Sequence, residues 1–228
     1  MTVDLVKHAA EDADVVFAAR VSTQGGETRF NESSERDAGL INFLMRDRHG
    51  SPFEHTSFTF YIEAPIFVVR EFFRHRAGWS YNEESGRYKQ LEPVFYLPAD
   101  GRSLRQIGKP GAYDFIQGDY KQKSAVSGDL RRISTEAYTT YERLLDIGVA
   151  REVARMVLPV NIYTSFYATC NARSLMHFLG LRTARENAAF RSFPQREIEL
   201  VAEGMETEFA RTMPLTYAAF EANGRVAP

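Results

Sequence analysis

Residues 56–63, TSFTFYIE, alternate in polarity, with Phe58, Phe60 and Ile62 on one side and Ser57, Thr59 and Tyr61 on the other; NIYTSFYATC, residues 161–170, alternates in the same way. A period of two is the mark of a half-buried strand, because successive side chains point to opposite faces of a sheet. Each of these strands runs straight into a helix signal. Pro65 stands where a first helical turn tolerates it, and APIFVVREFFRHRAG continues to Gly78 as a stop, which puts the RHR triplet in the last turn of a helix. Asn171 can cap NARSLMHFLG, whose Leu175, Phe178 and Leu179 make an apolar stripe ending at Gly180.

Helical spacing also marks residues 34–48, with Leu40, Ile41, Leu44 and Met45 on one face, Asn31 or Ser33 as a cap and Gly50 beyond the end. It marks Asp129 to Asp146 through Leu130, Ile133, Ala137, Tyr141, Leu144 and Leu145. REVARMVL, 151–158, predicts a short helix stopped by Pro159, and the last third of the chain is helical around Pro194 and Pro214. Residues 98–128 are glycine-rich and without period, which predicts a surface excursion. Segregated strands and helices predict an α+β fold, a single domain over residues 1–228 with a mixed β-sheet core and long flanking helices.

The 228 residues suit one domain, and 44% hydrophobic with 13% aromatic content suits a packed core. A net charge of -2 argues against nucleic acid as the main partner, because such domains carry a strongly basic face. Cys170 is the only cysteine, so no internal disulfide forms, and no apolar run approaches the roughly 18 residues of a membrane span. With no basic segment leading an apolar one at the N-terminus, the expectation is a soluble cytoplasmic protein without membrane contact.

RHRAGWSYNEESGRY, residues 74–88, concentrates polar groups around two glycines and the lone Trp79. Cations at a helix end are favoured by the macrodipole alone, and Glu71 three and four residues before Arg74 and His75 is what an ion-paired helix face contains. The sequel is less ordinary. Ser80, Asn82, Glu83, Ser85 and Arg87 follow in a Gly-containing stretch able to turn backbone N–H groups toward a ligand, and arginine forks, serine hydroxyls and amides are what a phosphate recruits. Trp79 offers a stacking surface or a core aromatic. Arg155, Arg173 and Arg182 recur beside strand ends or short helices, while Asn171 reads locally as a cap and His177 as a part-buried histidine. His49, Ser51, Glu54 and His55 lie in a loop whose spacing fits no metal pattern, so no metal is expected. There is no G-x-S-x-G, no P-loop and no G-x-G-x-x-G, and Cys170 on its strand reads as packing.

RHR, eight residues and then Ser85, with S-x-N-E-x-S-x-R inside, closely resembles the signature of the flavin-dependent thymidylate synthases. HGSPFEH, REVAR-x-x-LP, N-x-YT and NARSL-x-x-FL-x-LR agree, so the resemblance spans roughly residues 35–97 and 129–182. It implies the thymidylate synthase-complementing type of fold and conversion of dUMP to dTMP, with 5,10-methylenetetrahydrofolate as one-carbon donor, FAD as hydride source and NADPH as its reductant. It also implies a homotetramer with sites shared between subunits. Position by position, Ser51, Arg74, His75, Arg76, Glu83, Asn171, Ala172, Arg173 and His177 look like the FAD-binding set, with His49 on the folate or flavin side. Glu71, Phe72, Phe73, Arg74, Glu83, Glu84, Ser85, Gly86, Arg87, Arg155 and Arg182 look like the dUMP-binding set, with Arg182 in the catalytic role of activating the uracil ring. Three departures stand out: Glu71 where many relatives have Gln, an RHR-to-Ser interval one residue longer, and His177 in place of an Asn. A nucleotide-binding module that kept the phosphate site and lost catalysis is the competing reading.

Overall fold

The computed structural model describes residues 1–25, 35–109 and 112–228; Asn31 and Ser33, the expected caps, lie outside them. The chain opens with strand β1 (Thr2–Ala9) and helix α1 (Asp12–Gln24), which the sequence pattern does not reveal. Most of β1 is exposed at a sheet edge, and α1 buries only Asp12, Val15 and Val16, so neither carries a strong apolar period. Helix α2 (Glu35–Arg46) then matches its stripe, with Ile41, Leu44 and Met45 buried. Strand β2 (Ser57–Pro65) matches its alternation, with Phe58, Phe60, Ile62 and Ala64 fully buried.

Helix α3 (Ile66–Phe72) is shorter than its sequence predicts, and the RHR triplet lies beyond its end. Strand β3 (Trp79–Glu83) occupies what reads as a loop. The expected excursion at 98–128 is also corrected: β4 (Arg105–Lys109) and β5 (Ala112–Ile116) pair antiparallel, Arg105 opposite Ile116 and Gly108 opposite Tyr113, and helix α4 (Tyr120–Asp146) starts at Tyr120 rather than Asp129. Its early turns are largely exposed and need no apolar stripe. They start instead from a capping box, in which the Asp119 carboxylate accepts from the Gln122 N–H at 2.8 Å and the Gln122 side chain accepts from the Asp119 N–H at 3.0 Å.

Helix α5 (Arg151–Ala154) leads to strand β6 (Tyr163–Cys170) and helix α6 (Ala172–Arg182), which runs past Gly180 so that Arg182 is its last residue. Helices α7 (Arg196–Thr212) and α8 (Pro214–Ala222) complete the α+β fold. Asp12 closes the N-terminus of α8, its carboxylate accepting from the N–H groups of Leu215 and Thr216 at 2.9 and 2.8 Å and from the Thr216 hydroxyl at 2.7 Å. The larger sheet has the order β1-β2-β6-β3. No helix of the described residues is long and apolar enough to cross a membrane.

The chain divides into two compact units of interleaved segments: Met1–Ile62, Glu71–Asn82 and Phe166–Pro228 form the first, Glu63–Arg70 and Glu83–Ser165 the second. In the first, Phe58 meets Phe209 of α7 edge to face at 6.0 Å between centroids, and Val201, Met205 and Phe209 are fully buried. In the second, fully buried Tyr141 accepts the Leu91 N–H at 3.3 Å, Tyr138 donates to the Leu91 carbonyl at 2.8 Å, and Phe95 bridges to Ile162.

Candidate active site

In the first unit, the chain tightens after the end of α3 and is tied to β3. Arg74 and His75 donate backbone N–H groups three residues back, to Glu71 and Phe72 (3.3 and 3.0 Å), and the Tyr81 hydroxyl of β3 donates to the His75 carbonyl at 2.7 Å. The triplet therefore leaves the helix in a turn. Gly78 makes that turn close against α6: its φ is 70°, and a Cβ there would lie 2.1 Å from Ser174 Oγ. Ser174 in turn donates to the Ala77 carbonyl at 2.8 Å, while the Asn171 side chain caps α6 by accepting the Ser174 N–H at 2.9 Å. Ala172 is buried, its N–H donating to Thr56 Oγ1 at 2.8 Å.

The turn and the start of α6 enclose a cavity of about 460 Å³. His75, Arg76, Trp79, Asn171, Arg173 and His177 line it. Arg173 pairs with Glu54 at 2.5 Å and donates to the Pro228 carbonyl at 2.6 Å, and a Cβ on Gly50 would lie 2.5 Å from Arg173 Nε. His49 and Ser51, on either side of Gly50, are thus brought toward Arg173; both are exposed. Partial burial, with Arg173 nearby, lowers the pKa of His177, so it is neutral at pH 7.

Arg182 stands apart from the cavity lining. Its Nη1 meets Glu71 Oε2 at 2.8 Å, and its Nε donates to His75 Nε2 at 3.0 Å. The helical reading set Glu71 on an ion-paired face with Arg74 and His75; the observed pair is with Arg182, because α3 ends at Phe72, before Arg74 and His75 can share a helical face with it. Burial pushes the Glu71 carboxyl up, Arg182 opposing and Glu197 adding to the shift. Burial first, then Arg182 and His177, hold the His75 imidazole down at about 4, so at neutral pH Nε2 is free to accept. Phe72 is fully buried among Trp79, Phe166 and Phe178, leaving only its backbone to offer a ligand, whereas Phe73 packs on Tyr81 at 4.6 Å. Arg74 is exposed.

The depressed His75 value carries a stability consequence. A folded pKa of about 4 against an ordinary 6.5 means that this group's contribution is complete above pH 6.5 and is lost as pH falls toward 4. Discounted for partial solvent access, wild type should lose about 1 kcal/mol more than His75→Gln between pH 7 and pH 5 in urea unfolding. Equal losses would refute the assignment.

In the second unit, the nucleotide-side residues form a turn after β3, so the expected loop is confined to the residues that follow Glu83. The Thr164 hydroxyl donates to Glu83 at 2.8 Å. Burial raises the Glu83 carboxyl, with Glu84 adding to the rise and the Thr164 hydrogen bond and Arg155 acting against it. Glu84 accepts the Ser165 N–H at 3.0 Å and pairs with Lys89 at 2.9 Å. Ser85 closes the turn, its carbonyl accepting the Tyr88 N–H at 2.9 Å and its hydroxyl the Arg87 N–H at 3.3 Å. Gly86 is buried where a Cβ would meet Arg155 Cδ at 3.4 Å, which draws Ser85, Gly86, Arg87 and Arg155 together. Among the described residues, the Arg87 guanidinium meets Glu152 in an exposed contact at 3.5 Å and the Tyr88 ring at 5.6 Å.

A family model described as thymidylate synthase complementing protein matches residues 4–215. The chain belongs to that family. The flavin-dependent thymidylate synthase of Streptomyces coelicolor is 63% identical over 230 residues, covering all of this chain and 94% of its own length. That of a Tropheryma whipplei strain is 59% identical over 229 residues, covering 100% and 95%. Among solved structures, a UMP/dUMP methylase PolB from Streptomyces cacaoi bound with 5-Br dUMP aligns at a TM-score of 0.93 and 54% identity, covering all of this chain and 97% of its own.

For a thymidylate synthase complementing protein, the lining of the first-unit cavity fits an anionic cofactor with a planar ring. Two guanidiniums and an indole face it, and Glu54, the carboxylate at its wall, is already engaged by Arg173. The sequence reading of this family member omits Tyr81 and Ser174, which set the turn, and Thr164, which holds Glu83. Tyr81 was open to detection, since WSYNE alternates like a strand. Ser174 and Thr164 act across long sequence separations and leave no local signal.

Proposed function

We propose that this chain is a cytoplasmic flavin-dependent thymidylate synthase, working as one catalytic domain in a homotetramer whose copies share active sites. It methylates dUMP to dTMP with 5,10-methylenetetrahydrofolate, FAD and NADPH. The observation that carries the reading is Arg182 held between the Glu71 carboxylate and the neutral His75 imidazole, next to a cavity with flavin-binding chemistry. Burial pushes the Cys170 thiol well up, so it makes no nucleophile, and the uracil ring must be activated electrostatically.

Each residue then has a task. Arg182 donates to the uracil edge and stabilises the negative charge of the activated ring as its C5 attacks the methylene carbon of the folate; Glu71 and His75 aim its fork. Arg87 and Arg155, with Ser85 and the backbone at Gly86, take the 5'-phosphate dianion, while Glu83 and Glu84 fix the turn that presents them. Arg76, Arg173 and His177 hold the flavin, Trp79 and His75 flank it, and the α6 start capped by Asn171 closes the site, with Ser51, Arg74 and Ala172 around it. Reduced FAD, when bound, supplies the hydride that converts the transferred methylene to methyl, and NADPH restores it. After C5 bonds to the methylene carbon, the C5 proton is lost and the methylene–nitrogen bond breaks to release tetrahydrofolate.

Purified protein should be yellow and should release tritium from 5-tritiated dUMP when given methylenetetrahydrofolate and NADPH. Because a similar structure is named a UMP/dUMP methylase, tritiated UMP belongs in the same assay. A colourless protein that FAD does not reconstitute would sink the proposal; tight dUMP binding with no tritium release would favour the inactive nucleotide-binding module. Arg87→Ala should weaken dUMP binding about 10- to 100-fold in calorimetric titration, the loss of a charge-assisted contact, with FAD content unchanged. Unaltered dUMP affinity would remove Arg87 from the phosphate site.

A further inference from the structure

Behind Arg182 lies a buried set of charges that the proposed chemistry does not use. Arg225 follows α8 with φ at 58°, left-handed backbone that side chains other than glycine adopt at a cost, and its side chain is 1% exposed. Its guanidinium reaches Glu206 at 2.6 Å and donates to Thr183 Oγ1 at 2.8 Å, pairs with Glu221, and lies over the Phe220 ring at 5.0 Å. A buried ion pair is a weak source of stability, because desolvation offsets most of the attraction. Helix termination alone would be met by glycine, which already stands at position 224 with φ 68°.

The bonds around Thr183 indicate a more specific use. Its N–H donates to Leu179 at 3.0 Å, its carbonyl accepts from the Ser192 hydroxyl at 2.6 Å, and its own hydroxyl donates to Leu179 at 2.7 Å while accepting from Arg225. Every polar atom of the residue next to Arg182 is engaged. The backbone of Arg225 bears on the same turn, since a Cβ on Gly180 would stand 3.0 Å from its carbonyl oxygen. We propose that Arg225, acting through Thr183, is a positioning residue for Arg182, fixing the backbone from which that guanidinium reaches Glu71, His75 and the substrate ring. The inference rests on Arg182 acting on the uracil ring, as proposed above.

A fork displaced by about 1 Å can lose a hundredfold in rate while the nucleotide stays bound through its phosphate. Thr183→Val removes the hydroxyl at nearly constant volume. Its turnover at saturating dUMP should fall about tenfold, with dUMP affinity and FAD content within about twofold of wild type, and Thr183→Ser should restore the rate. Arg225→Ala should lose about a hundredfold, and if it does not fold, Thr183→Val decides alone. Wild-type turnover in Thr183→Val overturns the proposal, as does a parallel decline of FAD content, dUMP affinity and rate, which marks a merely structural role. Wild-type turnover in Arg182→Ala removes the role of Arg182 itself, and with it this inference, so the two failures are distinguishable.

Discussion

Arg182→Ala is expected to lower thymidylate formation by about 10³-fold at saturating dUMP, the scale lost when one preorganised donor is removed from a developing anion. FAD absorbance should persist, because Arg182 does not line the cavity formed by the RHR turn and α6. Two features make the loss larger than that of a single surface contact. Arg182 is held at both edges, Nη1 by Glu71 and Nε by His75, so its fork is aligned before substrate arrives. It is also the cation opposing the burial shift of Glu71, so its removal leaves that carboxyl more prone to protonation and the charge of the site changed as well. Arg182→Lys should recover little, since an ammonium keeps the charge and loses the planar fork. Tritium release and the flavin spectrum measured on one preparation check both halves; unchanged release in Arg182→Ala removes the assigned role.

Segments whose burial follows a simple period were legible in the sequence. β2 buries every second residue, and α6 announces itself by Asn171, which accepts the Ser174 N–H as a cap should. The exposed elements were not. The first turns of α4 and the hairpin of β4 and β5 face water, so no apolar period marks them, although Asp119-x-x-Gln122 was a readable capping box. The candidate site divides in the same way. Ser85, Gly86, Arg87 and Arg155 were named, and the structure gathers them around Gly86, where an added Cβ would stand 3.1 Å from the Leu91 side chain and 3.4 Å from the Arg155 stem. The partner of Glu71 was not legible, because a helical reading looks three and four residues away, while Arg182 lies 111 residues along the chain. No local rule recovers such a pair.

Gly78→Ala should abolish most FAD retention and lower stability by about 3 kcal/mol. Left-handed backbone alone costs a non-glycine residue about 1–2 kcal/mol. The larger difficulty is steric: the new Cβ would stand 2.1 Å from Ser174 Oγ, a distance no contact tolerates, so either the RHR turn or the start of α6 must move. Either movement breaks the Ser174 bond to the Ala77 carbonyl and separates Arg76 and Trp79 from Asn171 and Arg173 across the cavity. The two contributions can be separated. Ser174→Ala in the same chain removes Oγ and leaves Ser174 Cβ, at 3.2 Å, as that residue's nearest atom, so the double variant should regain part of the flavin and of the stability while keeping the backbone cost. Flavin content per chain and urea unfolding of the two variants give the comparison. A single Gly78→Ala variant that holds FAD as wild type does would show that the close approach of turn and helix does not shape the flavin site. The residues around Gly78 are also where the longer RHR-to-Ser interval was expected to show. The positive φ and the Ser174 contact supply a physical use for that length: the chain turns back sharply enough for β3 to begin at Trp79 while His75 still reaches Arg182.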